Sequence, residues 1–137
     1  MKITYPNDRQ ATLRIIARPT DINTNGSIFG GWLMSQIDIA GSIAAAVRAQ
    51  GSIATVAVQS LQFINPLFPD DYVSFYTDII SVGKTSMTVS IEVYANRAIY
   101  GKVDTEFYPH ELIKIADAVL VYVAVGKPGE KRLVPAV

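Results

Sequence analysis

A single α+β domain, with one long helix against a curved antiparallel sheet, is the architecture that this 137-residue sequence predicts. One stretch has apolar residues at helical spacing, several others have the alternation typical of strands, and the connections between those strands are short. Short connections favour antiparallel pairing. The length fits one domain, residues 1–137, with its core over about residues 10–126.

The helix is predicted over residues 31–49. Apolar residues recur along one face at spacings of three and four: Leu33, Ile37, Ala40, Ala44 and Val47. Gly41 and a run of alanines beside this face are small. A second backbone, or a ligand, should therefore be able to lie close against the helix.

About five strands are predicted around this helix. Their ranges are residues 12–17, 55–63, 72–82, 86–93 and 115–125. The apolar alternation of the second strand slips by one near Gln59 and Ser60, which predicts a bulge. The last strand is apolar on both faces, which predicts an interior position in the sheet. The tail after Gly126 is predicted to be turn-forming and loosely held.

Composition excludes several functions. Twelve Lys and Arg residues balance twelve Asp and Glu residues, so the broad positive field needed for nucleic acid or anionic membranes is missing. The absence of cysteine excludes disulfides, thiolate metal sites and cysteine nucleophiles. We expect no metal site. Polar residues interrupt the long apolar stretch at 28–47, and the first residues match no secretory or transit pattern, so we expect a cytoplasmic protein without a membrane span.

Asp38 is the only charged residue between positions 28 and 47. Aspartate is unfavourable inside a helix, so its presence needs a reason. One interpretation is a narrow polar stripe of Ser35, Asp38 and Ser42 that faces water. The other is a catalytic carboxylate, which the small and apolar neighbours Met34 and Gly41 favour, because solvent-facing stripes normally carry Lys, Glu or Arg.

Gly30 and Gly31 lie at the start of this helix. The first N–H groups of a helix lack internal partners, and glycines would let a carbonyl oxygen approach them, so the pair is a candidate oxyanion site. A turn followed by an N-cap is the alternative. Asn23, in the loop before the glycines, could hold a nucleophilic water or simply form an Asx turn.

Residues 14–32 (RIIARPTDINTNGSIFGGW) and 34–41 (MSQIDIAG) closely resemble the YciA-type acyl-CoA thioesterases. Similar stretches at 56–66, 83–86 and 121–125 extend the resemblance over nearly the whole chain. It implies a hotdog fold, in which a curved sheet of about five antiparallel strands wraps a long central helix. It also implies a homo-oligomer, at least a dimer with active sites at the subunit interface, and commonly a hexamer built as a trimer of dimers.

The resemblance further implies an enzyme that hydrolyses acyl-CoA to a carboxylic acid and coenzyme A. Asp38 matches the family's catalytic carboxylate, Asn23 its loop asparagine, and the Gly30 and Gly31 amides the group that polarises the thioester carbonyl. A turn near coenzyme A matches Gly83, Lys84, Thr85 and Ser86. Coenzyme A is part of the substrate, and no separate cofactor is implied.

Thioester chemistry suits so sparse a site, because a thiol titrates near about pH 8.5 and leaves without a strong acid. Asp38 could act as general base or as nucleophile, and the sequence leaves both routes open. A non-hydrolytic acyl-CoA sensor or carrier is the alternative function. A hotdog dehydratase is a weaker one, since that chemistry generally relies on a histidine.

Two features depart from the wider superfamily. Many hotdog relatives carry histidine just before the glycine pair. This chain has Phe29 at that position, and in this it matches the YciA type. Residues 101–112 fit the family poorly and are predicted to form a variable hairpin loop. We therefore interpret His110, the single histidine, as an exposed loop residue without a catalytic role.

Overall fold

The computed structural model describes residues 3–98 and 110–137, and within them the chain forms one α-helix and five strands. In chain order these are β1 (Leu13–Ile16), α1 (Gly30–Ala49), β2 (Ile53–Phe63), β3 (Tyr72–Val82), β4 (Ser86–Ala98) and β5 (His110–Ala124). A short 3-10 turn, Pro19–Asp21, lies between β1 and α1. The predicted α+β class is confirmed.

All five strands form one antiparallel sheet in the order β1-β3-β4-β5-β2. Strand β5 lies between β4 and β2, as its two apolar faces predicted. Strand β2 is an edge strand, and most of its residues are exposed in the single chain. Its eleven residues therefore offer a long row of backbone groups to another strand.

The core lies between α1 and the inner face of the sheet. The helix buries residues at the predicted spacing: Leu33, Ile37, Ala40, Gly41, Ala45 and Ala49. Strand β4 contributes every second residue to the same core: Met87, Val89, Ile91 and Val93. Burying each large aliphatic side chain contributes about 1.5–3 kcal/mol, so this contact carries much of the stability of the fold.

Two register irregularities shape β2. One falls between Val58 and Ser60, which confirms the predicted bulge near Gln59 and Ser60. A second, between Thr55 and Ala57, was not predicted. Because a bulge bends its strand and re-aims the neighbouring side chains, β2 can turn Thr55 toward the helix.

The C-terminal tail is attached to the body of the protein, so the prediction of a loosely held segment is wrong. Arg132 donates hydrogen bonds to the carbonyl oxygens of Val125, Ala49 and Ser52 at 2.9, 2.7 and 3.1 Å. The Val134 N–H donates to the Lys84 carbonyl at 2.8 Å. One guanidinium, with its five donors, thus joins the tail to the end of α1.

The predicted hairpin loop at 101–112 falls mostly on residues 99–109, which lie outside the described residues. The prediction is wrong for its last three positions. His110, Glu111 and Leu112 begin β5 and pair with β4. His110 is exposed and its ring stacks on Tyr72. Across the described ranges, no helix combines the length and the apolar character needed to cross a membrane.

Candidate active site

Two hydroxyl groups hold the side chain of Asp38 near the middle of α1. Thr55 Oγ1 donates to Asp38 Oδ1 at 2.7 Å, and the Tyr122 hydroxyl donates to the same oxygen at 3.1 Å. The Tyr122 hydroxyl also lies 3.0 Å from the Asp38 carbonyl oxygen. Thr55 and Tyr122 are direct partners in the pairing of β2 with β5. One cross-strand pair therefore fixes the carboxylate.

Tyr122 is fully buried, with 0% of its surface exposed. Burial, and then the negative charge and hydrogen bond of Asp38, raise the pKa of Tyr122 far above the ordinary value for tyrosine. The phenol consequently keeps its proton at any physiological pH. It acts toward Asp38 as a permanent hydrogen-bond donor.

Gly41 makes this contact possible. It lies on the buried face of α1, and a Cβ atom at this position would overlap the Tyr122 hydroxyl. The sequence predicted a close approach at this helix by a backbone or a ligand. The structure places a tyrosine side chain there instead.

A pocket of about 250 Å³ lies beside Asp38. Its walls are mainly apolar, from Met34, Ile37, Val58, Leu61 and Leu120, with Ser35, Asp38 and Thr55 as the polar contributors. A mostly apolar cleft with a few polar groups is the usual form of a small-molecule site. The carboxylate thus lies on the wall of a mainly apolar space.

The polar stripe of the helix divides into two kinds of residue. The hydroxyls of Ser35 and Ser42 donate to carbonyl oxygens of their own helix, on Trp32 and Ile39, at 2.7 Å each. Asp38 alone among the three is oriented by groups from the sheet. A simple water-facing stripe does not describe its surroundings.

The start of α1 carries open backbone donors. Phe29 is the N-cap residue and no side chain caps the helix, so the first N–H groups lack intrahelical partners. A Cβ atom on Gly31 would meet nothing within 4 Å, and one on Gly30 would make ordinary contact with the Phe63 ring. Glycine costs a helix about 1 kcal/mol relative to alanine. Packing among the residues that the structure describes gives no reason for these two glycines.

Asn23 shapes the loop that leads to these amides. Its Oδ1 accepts from the N–H groups of Asn25 and Ser27 at 2.8 and 3.3 Å, and its Nδ2 donates to Ser27 Oγ at 3.0 Å. This is the Asx-turn arrangement that was one of the two predicted alternatives. One Nδ2 hydrogen is left over for another acceptor.

The turn from Gly83 to Ser86 lies at the other end of the helix. The Gly83 N–H donates to the Ser86 carbonyl at 2.8 Å, and the carbonyls of Lys84 and Thr85 accept from the tail and from the end of β5. The Lys84 side chain is exposed. The tail that contacts this turn also contacts Ala49, the last residue of α1.

One chain therefore assembles only part of the predicted site. With a rise of about 1.5 Å per residue, Gly31 and Asp38 are about 10 Å apart along the helix, and the two ends of α1 are about 30 Å apart. The structure brings Asp38 together with Thr55 and Tyr122. It does not bring Asn23, the glycine pair or the 83–86 turn to Asp38 within the same chain.

Sequence reasoning missed Thr55 and Tyr122. Tyr122 is the one polar side chain in the run from Ala118 to Val125, and a buried tyrosine hydroxyl normally finds a partner. That signal predicts an acceptor somewhere nearby. It does not identify Asp38, because the register of Thr55 against Tyr122 depends on a bulge beside Thr55 that the sequence does not predict.

Comparisons with known proteins agree with this architecture. Residues 25–98 match the model of the family described as Thioesterase superfamily. The acyl-CoA thioester hydrolase YciA of Escherichia coli (strain K12) is 38% identical over 123 residues, which are 90% of this chain and 89% of that protein. The chain belongs to the thioesterase superfamily, as a member of the YciA type.

Solved structures confirm the hotdog fold. A hexameric hotdog fold thioesterase of Campylobacter jejuni superimposes with a TM-score of 0.85 at 35% identity, covering 95% of this chain and 93% of that one. In this chain the fold consists of the long helix α1 wrapped by the five-stranded antiparallel sheet.

An acyl-CoA hydrolase from Staphylococcus aureus gives a third comparison. Its structure with butyryl coenzyme A, coenzyme A and coenzyme A disulfide is 26% identical, with a TM-score of 0.74, and covers 90% of this chain and 70% of that one. Three variants of it replace an asparagine, an aspartate or a threonine by alanine. In that protein the asparagine lies 15 positions before the aspartate, and the threonine lies 17 positions after it. The same two spacings separate Asn23 from Asp38 and Asp38 from Thr55 in this chain.

Proposed function

We propose that this protein hydrolyses acyl-CoA thioesters to a free carboxylic acid and coenzyme A, with Asp38 as the catalytic carboxylate. The observation that carries the proposal is this carboxylate, fixed by two hydroxyl donors on the wall of an apolar pocket. The curated relatives are acyl-CoA thioester hydrolases, and this favours catalysis over the sensor or carrier alternative.

The reaction balances with one carboxylate as acid and base. In the general-base route, Asp38 takes a proton from water while the water oxygen attacks the thioester carbonyl carbon. The tetrahedral oxyanion accepts hydrogen bonds from backbone amides, and then the C–S bond breaks. The protonated Asp38 returns its proton to the departing thiolate. In the rival route the carboxylate attacks the carbonyl carbon and the C–S bond breaks, which releases the coenzyme A thiolate and leaves an anhydride between Asp38 and the acyl group. Water then hydrolyses this anhydride to the carboxylic acid and free Asp38, and the thiolate takes up the proton that the water releases.

The backbone amides at Gly30 and Gly31 are the proposed donors to the oxyanion. Their N–H groups have no capping side chain, and the space over Gly31 is open. The separation of about 10 Å between Gly31 and Asp38 is too large for one carbonyl group to contact both. We therefore propose that each active site combines Asp38 of one subunit with the glycine pair of another.

The free edge of β2 supports such a dimer. Two edges that pair across a two-fold axis run antiparallel and extend the sheet, so their helices also run antiparallel. The start of one helix then lies beside a later part of its partner. Exposed apolar side chains on the two elements would be covered: Met34, Ile39, Ile43, Val56 and Val58.

The same geometry gives the remaining residues their proposed roles. Asn23 would hold the attacking water through its spare Nδ2 hydrogen, and Gly83, Lys84, Thr85 and Ser86 would contact coenzyme A. We also propose a hexamer, as described for the Campylobacter jejuni relative, and a cytoplasmic location, as suits an enzyme of coenzyme A thioesters. Coenzyme A belongs to the substrate, and the proposed chemistry uses no separate cofactor.

A thiol-release assay over acyl-CoA chains of increasing length tests the activity. We expect turnover by the wild type and a fall in kcat of about 10²–10⁴-fold in Asp38→Asn. Asp78→Asn is the matched control, because Asp78 is an exposed aspartate on β3. Full activity in Asp38→Asn would exclude the proposed role of Asp38. Binding of acyl-CoA without turnover by the wild type would support a sensor.

A further inference from the structure

We propose that Tyr122 is a positioning residue for this reaction: with Thr55, it fixes Asp38 through Oδ1 and so leaves Oδ2 as the oxygen that reacts. The proposal rests on the proposed function, because it specifies how the same carboxylate works. It holds for either route, since water or the thioester carbon would meet the same oxygen.

The hydrogen bonds around Asp38 are distributed unevenly between its two oxygens. Oδ1 accepts from both Thr55 Oγ1 and the Tyr122 hydroxyl. In residues 3–98 and 110–137, no hydrogen-bond donor reaches Oδ2. An ionised carboxylate offers about four lone-pair sites, so the two on Oδ2 stay available to a water or a substrate.

Tyr122 is suited to hold the carboxylate rather than to exchange protons with it. Its side chain is fully buried, and both acceptors of its hydroxyl belong to Asp38. The single phenol proton is shared between Asp38 Oδ1 at 3.1 Å and the Asp38 carbonyl oxygen at 3.0 Å, so the tyrosine contacts this residue through both its side chain and its backbone. The second acceptor is a backbone oxygen of α1, so the phenol also fixes the helix against β5.

Among the described residues, two side chains from the sheet donate hydrogen bonds to the Asp38 carboxylate. From β2 it faces Thr55 and from β5 it faces Tyr122, and Tyr122 is the ionisable one of the two. On its own helix, Ser35 and Ser42 bond backbone carbonyls instead. The phenol and the Thr55 hydroxyl are thus the two described donors whose removal would change the surroundings of the carboxylate without adding or removing a charge.

Gly41 provides a second, independent observation. Glycine is unfavourable inside a helix, and this one is buried where a Cβ atom would overlap the phenol oxygen and approach the Tyr122 ring at 2.9 Å. The glycine therefore leaves the space that the Tyr122 hydroxyl occupies. A helix that needed only packing here would be better served by alanine.

The test is the pH dependence of kcat and kcat/KM for acyl-CoA hydrolysis by Tyr122→Phe. We expect kcat to fall by about 10–100-fold, because the carboxylate is displaced from its reactive position. KM should change little, because the groups that bind the substrate are unchanged. Loss of a donor to the ionised carboxylate should also move the acid limb of the profile to higher pH. A purely structural role would not move that limb.

Two further variants keep the test decisive if Tyr122→Phe folds poorly. Thr55→Val removes the other donor to Oδ1, whereas Thr55→Ser retains a hydroxyl and should recover most of kcat. Tyr76→Phe is the matched control. Tyr76 is a buried tyrosine of β3 whose hydroxyl contacts Arg14, so its kcat and pH profile should match the wild type.

The outcomes separate this proposal from the proposed function. Wild-type kcat and an unmoved acid limb in Tyr122→Phe, with Asp38→Asn inactive, would overturn the positioning role alone. The same result in Thr55→Val would overturn the assignment of Oδ2. Activity in Asp38→Asn would instead remove the proposed function on which both depend.

Discussion

The candidate site residues at the middle and at the start of α1 differ in how many contacts they make within one chain. At the middle, Asp38 has two hydroxyl partners, a buried tyrosine beneath it and a pocket beside it. At the start, Gly30 and Gly31 have no capping side chain, and the space above Gly31 is empty. A single chain thus positions the carboxylate by itself, whereas the proposed role of the amides depends on a substrate and a second subunit.

After the loss of Asp38 itself, the largest effect is expected at the open amides of Gly30 and Gly31. Gly31→Pro removes one N–H that makes no bond within the helix, and proline is tolerated in the first helical turn. Loss of one oxyanion donor should lower kcat by about 10²–10³-fold with little change in stability. Gly31→Ala keeps the N–H and is the control for thiol-release kinetics. Equal activity in the two variants would contradict the role of the amide.

A loss of stability is expected instead at an ion pair that lies wholly within one chain. Arg97 donates to both carboxylate oxygens of Asp71 at 2.9 and 2.7 Å, and only 2% of the Asp71 side chain is exposed. Arg97→Met leaves this carboxylate unpaired and should lower the free energy of unfolding by about 3 kcal/mol. Urea denaturation measures the loss. Arg18→Met breaks an exposed pair and should change stability by less than about 1 kcal/mol.

Mixing two inactive chains tests whether the halves of the site come from different subunits. Asp38→Asn and Gly31→Pro chains are refolded together and assayed for thiol release. Random pairing makes about half of the dimers mixed, each with one intact site of two, so about a quarter of wild-type activity should return. Recovery no greater than the sum of the separate variants would mean that one chain supplies both groups.

The smallest effect is a pH dependence of stability. Below about pH 10 the folded and unfolded chains both keep the Tyr122 proton. Above it the unfolded chain loses this proton while the raised pKa lets the folded chain keep it, so stability falls as pH rises. Tyr122→Phe should reduce that slope by up to about 1.4 kcal/mol per pH unit. Identical slopes, measured by urea denaturation between pH 9 and about pH 11, would show that the phenol titrates normally.

Much of the fold could be predicted from local pattern. The helix begins one residue before its predicted start, β3 has the predicted bounds, and the bulge near Gln59 was visible as a slip in the apolar alternation. The tail was mispredicted because its turn-forming residues suggest mobility. Its attachment depends on Arg132 reaching three carbonyls that are distant in sequence.

The candidate site was predictable only in part. Asp38 stands out as an isolated charge in an apolar helix, and a family resemblance supplied the roles of Asn23, Gly30 and Gly31, which stay predictions. Thr55 and Tyr122 could not be connected to Asp38 from sequence. Their meeting depends on strand register and on a bulge beside Thr55, which no local pattern specifies.

The contact between Gly41 and Tyr122 restricts how this protein can evolve. A larger residue at position 41 can be accepted only after the phenol oxygen has gone, and the phenol can return only once position 41 is glycine again. The two positions form an epistatic pair, in which the order of mutations matters. On the proposed role of Tyr122, a lineage that loses either member first passes through a chain with a displaced carboxylate, so the two residues should be conserved together.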